Sequence, residues 1–181
     1  MVFELPLSER NLILTGYIEP NKPRIGRQVA ERLSMPFVDV EAQIAERLGD
    51  DLHVIRRSYG ERRLKAGESE VMDEVLLRRR TVIRVLGSTL LHSEHLERMQ
   101  ENGIVICLVA RLDAILQRLH LTLGARYHDP AERAVALGDL KREWAVRGRP
   151  GIYELDVTDL DELATVQAIS DLWQNLAIER A

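Results

Sequence analysis

The stretch NLILTGYIEPNKPRIGRQVAERLS, residues 11–34, decides how the chain is read. An apolar run ends at Gly16 and a polar loop follows. Beyond the loop, Ile25, Val29, Ala30 and Leu33 recur at the spacing of one helical face. A phosphate-binding loop sits between a strand and a helix in this way. Its pattern is a glycine, four residues, then Gly-Lys-Ser/Thr. Gly16 and Lys22 stand at the right offsets, but Asn21 replaces the second glycine and Pro23 replaces the hydroxyl residue. Such a loop works by turning backbone N–H groups onto phosphate oxygens, and Pro20 and Pro23 have no N–H to turn. Pro23 also lacks the hydroxyl that would hold magnesium. Glu19 brings negative charge to a place meant for anions. Asn21 is milder, because asparagine tolerates positive φ. Pro23 is also good structure, since proline is favoured in the first helical turn. The loop alone leaves two readings open. One is a modified phosphate loop that still admits an anion through Lys22 and Arg24. The other is an ordinary connection with a surface lysine.

Outward from this stretch, strands and helices alternate. Residues 35–41, MPFVDVE, read as a short strand ending in acids, and 41–49 as a helix stopped by Gly49. Residues 50–80 are charged and helical, with Gly60 and Gly67 expected to break or bend them. A third strand runs through TVIRVLGSTL into a turn at Gly87-Ser88. A helix over 92–103 ends at Gly103, and GIVICLVA, 103–110, is apolar enough to be a strand buried on both faces. Residues 111–121 read as another helix, 123–153 as irregular and then helical, 153–160 as a last short strand, and an amphipathic helix closes the chain. This order predicts one α/β domain in three αβα layers, with a central, mostly parallel five-stranded sheet. The turns after Gly16, Asp39 and Gly87 all follow strands, so they are expected to converge on one crevice.

Composition narrows the class. The 181 residues are 45% hydrophobic and 4% aromatic, so aliphatic side chains must build the core. A net charge of −4 gives no basic excess for nucleic acid or an anionic membrane. No apolar run approaches the roughly 18 residues of a membrane span. The N-terminal MVFELPLSER does not read as a secretory signal, so a cytoplasmic monomer or weak dimer is expected. Cys107 is the single cysteine and reads as a buried core thiol.

Over residues 11–171 the order of features resembles the shikimate kinases, small kinases with a phosphate loop. IGRQVAERLSMPFVDVEAQIAERLG, residues 25–49, carries the most specific part of the likeness. The resemblance implies ATP and Mg2+ as cofactors and shikimate or a related hydroxy acid as substrate. It implies that Asp39 helps hold the metal, that Glu41 orients or deprotonates the hydroxyl, and that Lys22 steadies the phosphates. Gly16, Arg24, Arg118 and Arg126 fall at nucleotide-contacting positions. Lys65 takes the place of an arginine that grips the substrate carboxylate, keeping the charge without the bidentate fork. Glu68 follows it as the family's acid. Gly87 is what remains of a triple-glycine turn, in Leu86-Gly87-Ser88. Arg149, four residues before Tyr153, matches a second carboxylate-binding arginine, with Arg147 a close competitor. A mobile substrate-binding segment near 45–70 and a lid near 120–135 are also implied. Scaffold positions match the family while chemistry-bearing positions are altered. The expectation is therefore a kinase fold with impaired nucleotide binding and catalysis, or a non-catalytic small-acid-binding or regulatory domain.

Four other features read as structure. His92 and His95 have metal-ligand spacing but no third partner in sequence, so they are expected on a solvated helix face. HDP at 128–130 reads as a turn before a helix, and Arg78–Arg80 as a solvated helix end. Trp144 and Trp173 read as core or interface anchors.

Overall fold

The computed structural model describes Pro6 and residues 9–16 and 23–179. Lys22, with Glu19, Pro20 and Asn21, lies outside the described residues. The strands are β1 (Asn11–Gly16), β2 (Phe37–Asp39), β3 (Val82–Arg84), β4 (Gly103–Val109) and β5 (Ile152–Asp156). They form one fully parallel sheet in the order β2-β3-β1-β4-β5. Between β1 and β3 lie α1 (Arg24–Leu33), α2 (Val40–Leu48), α3 (Leu52–Tyr59) and α4 (Glu61–Val75). Helices α5 (Gly87–Leu91) and α6 (His95–Asn102) precede β4, and α7 (Leu112–Leu123) and α8 (Pro130–Glu143) precede β5. Helix α9 (Glu162–Glu179) ends the described chain.

Strand alternation sorts the core into two layers. Leu12, Leu14, Ile104, Ile106 and Leu108 point to the face covered by α1, α7 and α9. Ile13, Ile83, Val105, Cys107 and Val109 point to the face covered by α2 to α6. Both faces are buried, which is why β1 and β4 read as continuous apolar runs. Cys107 is fully buried, and burial pushes its thiol up to about 12. Trp173 is core, as expected.

Four local expectations are corrected. Gly67 does not break α4, which runs unbroken through it. A Cβ there would sit 2.8 Å from Leu48, so the glycine admits that side chain of α2. Gly60 does separate α3 from α4, at φ +83. Gly87-Ser88 opens the short α5 instead of making a turn. The helix expected from residue 92 begins at His95. The last strand stops at Asp156, whose carboxylate accepts the Thr158 N–H at 2.8 Å and turns the chain. The HDP turn behaves as read: Asp129 caps α8 by accepting the Ala131 N–H at 2.8 Å, and Pro130 takes the first turn.

The connection leaving β1 runs to one side of the sheet and the connection leaving β4 to the other. A crevice is therefore expected between their carboxyl ends.

Candidate active site

Asp39 ends β2 and caps α2, accepting the Ala42 N–H at 3.3 Å. Glu41 follows in the first turn of α2. In the parallel register Asp39 is paired with Arg84, the last residue of β3. Adjacent carboxyl ends thus bring a guanidinium against the acid pair. Arg84 Nη1 donates to Asp39 Oδ1 at 3.2 Å and to Glu41 Oε2, and its Nη2 lies 3.7 Å from Glu143 Oε1 at the end of α8. The arginine side chain is only 9% exposed, so little water screens this cluster. Burial opposes the charge, but Glu41, Asp39 and Glu143 outweigh it and hold the Arg84 pKa above its usual value. Sequence reading missed Arg84. The signal was present, as an arginine inside an otherwise apolar strand, VIRV.

The acid pair could hold a metal only if its oxygens were free to turn toward one. Here they already face a fixed cation, and Pro23, at the mouth of α1, has no hydroxyl to add. These residues do not fit a magnesium ion without displacement of Arg84.

The α8 end fills more of the crevice. Glu143 reaches Arg84, and the indole N–H of the next residue, Trp144, donates to the Leu108 carbonyl at 3.0 Å near the end of β4. Trp144 is thus a crevice residue as well as a packing anchor. Gly87 is needed for this approach, because a Cβ there would lie 3.0 Å from the Arg142 carbonyl oxygen and closer still to that of Glu143. Among the described residues, a cavity beside Glu41 of about 80 Å³ is lined also by His53, Arg56, Arg84 and Arg142. That is well below the roughly 300 Å³ at which small-molecule sites begin.

Of the other sequence candidates, Arg118 and, through its partner Glu162, Arg24 border one cavity, which Lys65, Arg126, Arg147 and Arg149 do not line. Lys65 and Arg149 are exposed, and neither lines the cavity beside Glu41. Arg147 stacks over Trp144 at 4.8 Å and pairs with Glu154 at 3.2 Å. Arg118 donates to the Val157 and Thr158 carbonyls at 3.1 and 2.8 Å, beside a cavity of about 180 Å³ lined by Ile25, Leu160 and Asp161. Arg24 pairs with Glu162 at 3.1 Å, and Arg126 with Glu132 at 2.7 Å. Gly16 lies at the end of β1, with φ +91.

The histidine pair is not on a solvated face, which corrects the expectation from sequence. His95 is buried, and its Nδ1 lies 2.9 Å from the Thr89 carbonyl. His92 Nδ1 lies 3.7 Å from the buried Glu68, which accepts the Thr89 hydroxyl at 3.0 Å. Burial raises the Glu68 pKa, opposed by the Thr89 hydrogen bond and the charge of His92. A raised folded-state pKa means that the folded chain holds this proton more tightly than the unfolded one. The stabilisation from protonated Glu68 is complete below the ordinary glutamate value and lost as pH rises through the elevated one. Glu68→Gln keeps an acceptor for Thr89 and carries no charge. It should raise the unfolding temperature at pH 7 and lose that advantage near pH 4, in melts taken at both.

The family model described as shikimate kinase matches residues 21–142, reaching into the last turn of α8. A shikimate kinase of Thermodesulfovibrio yellowstonii is 30% identical over 127 residues, which are 68% of this chain and 73% of that one. One from Caldicellulosiruptor bescii is 29% identical over 110 residues, 61% of this chain and 64% of the other. A shikimate kinase from Acinetobacter baumannii, solved in complex with shikimate, superposes with a TM-score of 0.72 at 22% identity. It covers 98% of this chain and 96% of that one. A shikimate kinase from Bacteroides thetaiotaomicron gives 0.73 at 21% identity, covering 93% and 98%.

Proposed function

Because the chain belongs to the shikimate kinase family, we propose that it is a member in which ATP-dependent phosphoryl transfer is impaired or lost, the kinase fold being kept. One observation carries this reading: Arg84 donates to both Asp39 and Glu41. A guanidinium in that position offsets one of the pair's two negative charges but cannot exchange ligands, polarise a phosphate as a metal does, or leave the carboxylates free to orient a hydroxyl. In phosphoryl transfer the protein supplies mainly positioning and electrostatics, so this change strikes at the whole contribution. Pro23 and the small cavity beside Glu41 support the same reading.

The test is release of ADP from magnesium-ATP with shikimate, run beside the Thermodesulfovibrio relative. The expected rate is at least about a hundredfold to a thousandfold lower, the usual cost of losing even one transition-state donor. A rate equal to the relative's would overturn the proposal. Within that reading, slow residual transfer and not complete loss is favoured by the cavity that Arg118 and Glu162, the partner of Arg24, still border. Residual turnover that Asp39→Asn abolishes would support it.

A further inference from the structure

A third concavity shares no lining residue with the cavity beside Glu41. It is an open groove of about 820 Å³ between the start of α7, the last turns of α8 and the edge strand β5. That volume lies within the range of small-molecule sites, which the cavity beside Glu41 does not reach. One wall is apolar. Leu112 is 53% exposed and Leu137 37% exposed, and the buried Leu140 also lines the groove. Single exposed leucines are ordinary, but here two of them share one groove with a tryptophan.

That tryptophan is fixed. The Trp144 N–H is tied to the Leu108 carbonyl, and Arg147 lies over its ring. The ring is therefore held in place, one face under Arg147 and part of its surface lining the groove, so the fold has already met its ordering cost. The other wall carries charge. Lys141 has no ion-pair partner among the described residues, whereas Arg147 is shared with Glu154. The three charged groups of the groove sum to one net positive charge, placed beside an apolar surface.

We propose that this groove binds an amphiphilic organic anion. An aromatic or acyl body would lie against Leu112, Leu137 and Trp144, and a carboxylate, sulfonate or phosphate head would reach Lys141. Neutral apolar molecules lack the head, and small inorganic anions lack the body, so the site discriminates against both. The inference does not depend on the fate of the kinase reaction.

Anilinonaphthalene sulfonate is a suitable probe, having both parts. Trp173→Phe leaves Trp144 as the single tryptophan, and it removes no hydrogen bond seen among the described residues, where Trp173 Nε1 is buried without a partner. Titration of the probe into this variant should quench Trp144 emission and saturate at one probe per chain. Lys141→Glu and Leu137→Asp change exposed or half-exposed positions, so both should stay folded by circular dichroism. Each should weaken binding by about tenfold or more, the usual effect of losing one charge-assisted or apolar anchor. Neutral phenylnaphthylamine should bind more weakly than the sulfonate. Unchanged affinity in both variants, several weak equivalent sites, or equal binding of the neutral analogue would overturn the proposal. So would a concentration-dependent dimer that hides Trp144 from the probe.

Discussion

Replacing Arg84 by methionine should lower the unfolding free energy by about 3–5 kcal/mol, the usual cost of removing one partner from a buried charge cluster. Methionine keeps most of the volume and the stem packing. The lost quantity is therefore the charge that faces Asp39, Glu41 and Glu143. Those side chains are 11%, 26% and 13% exposed, so water can compensate only in part. Urea unfolding at neutral pH measures the loss. A triple variant, Arg84→Met with Asp39→Asn and Glu41→Gln, should recover much of it, because the uncompensated carboxylates are then gone. A single-variant loss below about 1 kcal/mol would mean that the cluster behaves as an ordinary surface network.

Gly16→Ala should cost about 2–4 kcal/mol and lower the unfolding temperature by roughly 5–15 °C. Two causes add. Gly16 has φ +91, which an L side chain rarely adopts. A Cβ there would also lie 2.7 Å from the Leu108 backbone nitrogen and 2.9 Å from Cys107 Sγ, and closer still to the Leu108 carbonyl. That neighbour is backbone of the adjacent strand β4, so it cannot swing aside. The resemblance implies a nucleotide contact for this glycine, yet strand packing alone requires it. A melting temperature within about 2 °C of the native protein's would contradict the packing account. The prediction also carries a warning for mutagenesis: weaker nucleotide binding in Gly16→Ala would report on the fold as much as on the site.

The layers, the parallel sheet and the two-faced burial of β1 and β4 were legible in sequence because they follow from local apolar periodicity. Asp39 and Glu41 were legible too, standing at the end of a strand pattern. Arg84 shows in sequence only as a charge inside an apolar run; its meaning depends on β2 and β3 being neighbours in register, and that is a long-range fact. Glu143 and Trp144 were hidden for the same reason: only the path of α8 across the sheet brings them to Arg84 and Leu108. The histidine pair misled because spacing alone does not reveal that α4 supplies a buried glutamate beside it. Arg149 fits a motif in sequence but emerges on an exposed turn before β5.

The central claim is that the cation of this acid pair is the Arg84 guanidinium and not a metal. Titration with Mn2+, followed by its paramagnetic resonance signal, tests it directly. The native protein should leave Mn2+ free up to millimolar concentration. Arg84→Ala, checked for folding, should gain a site that a further Asp39→Asn removes. A native protein that binds one Mn2+ at micromolar concentration, through Asp39, would contradict the account.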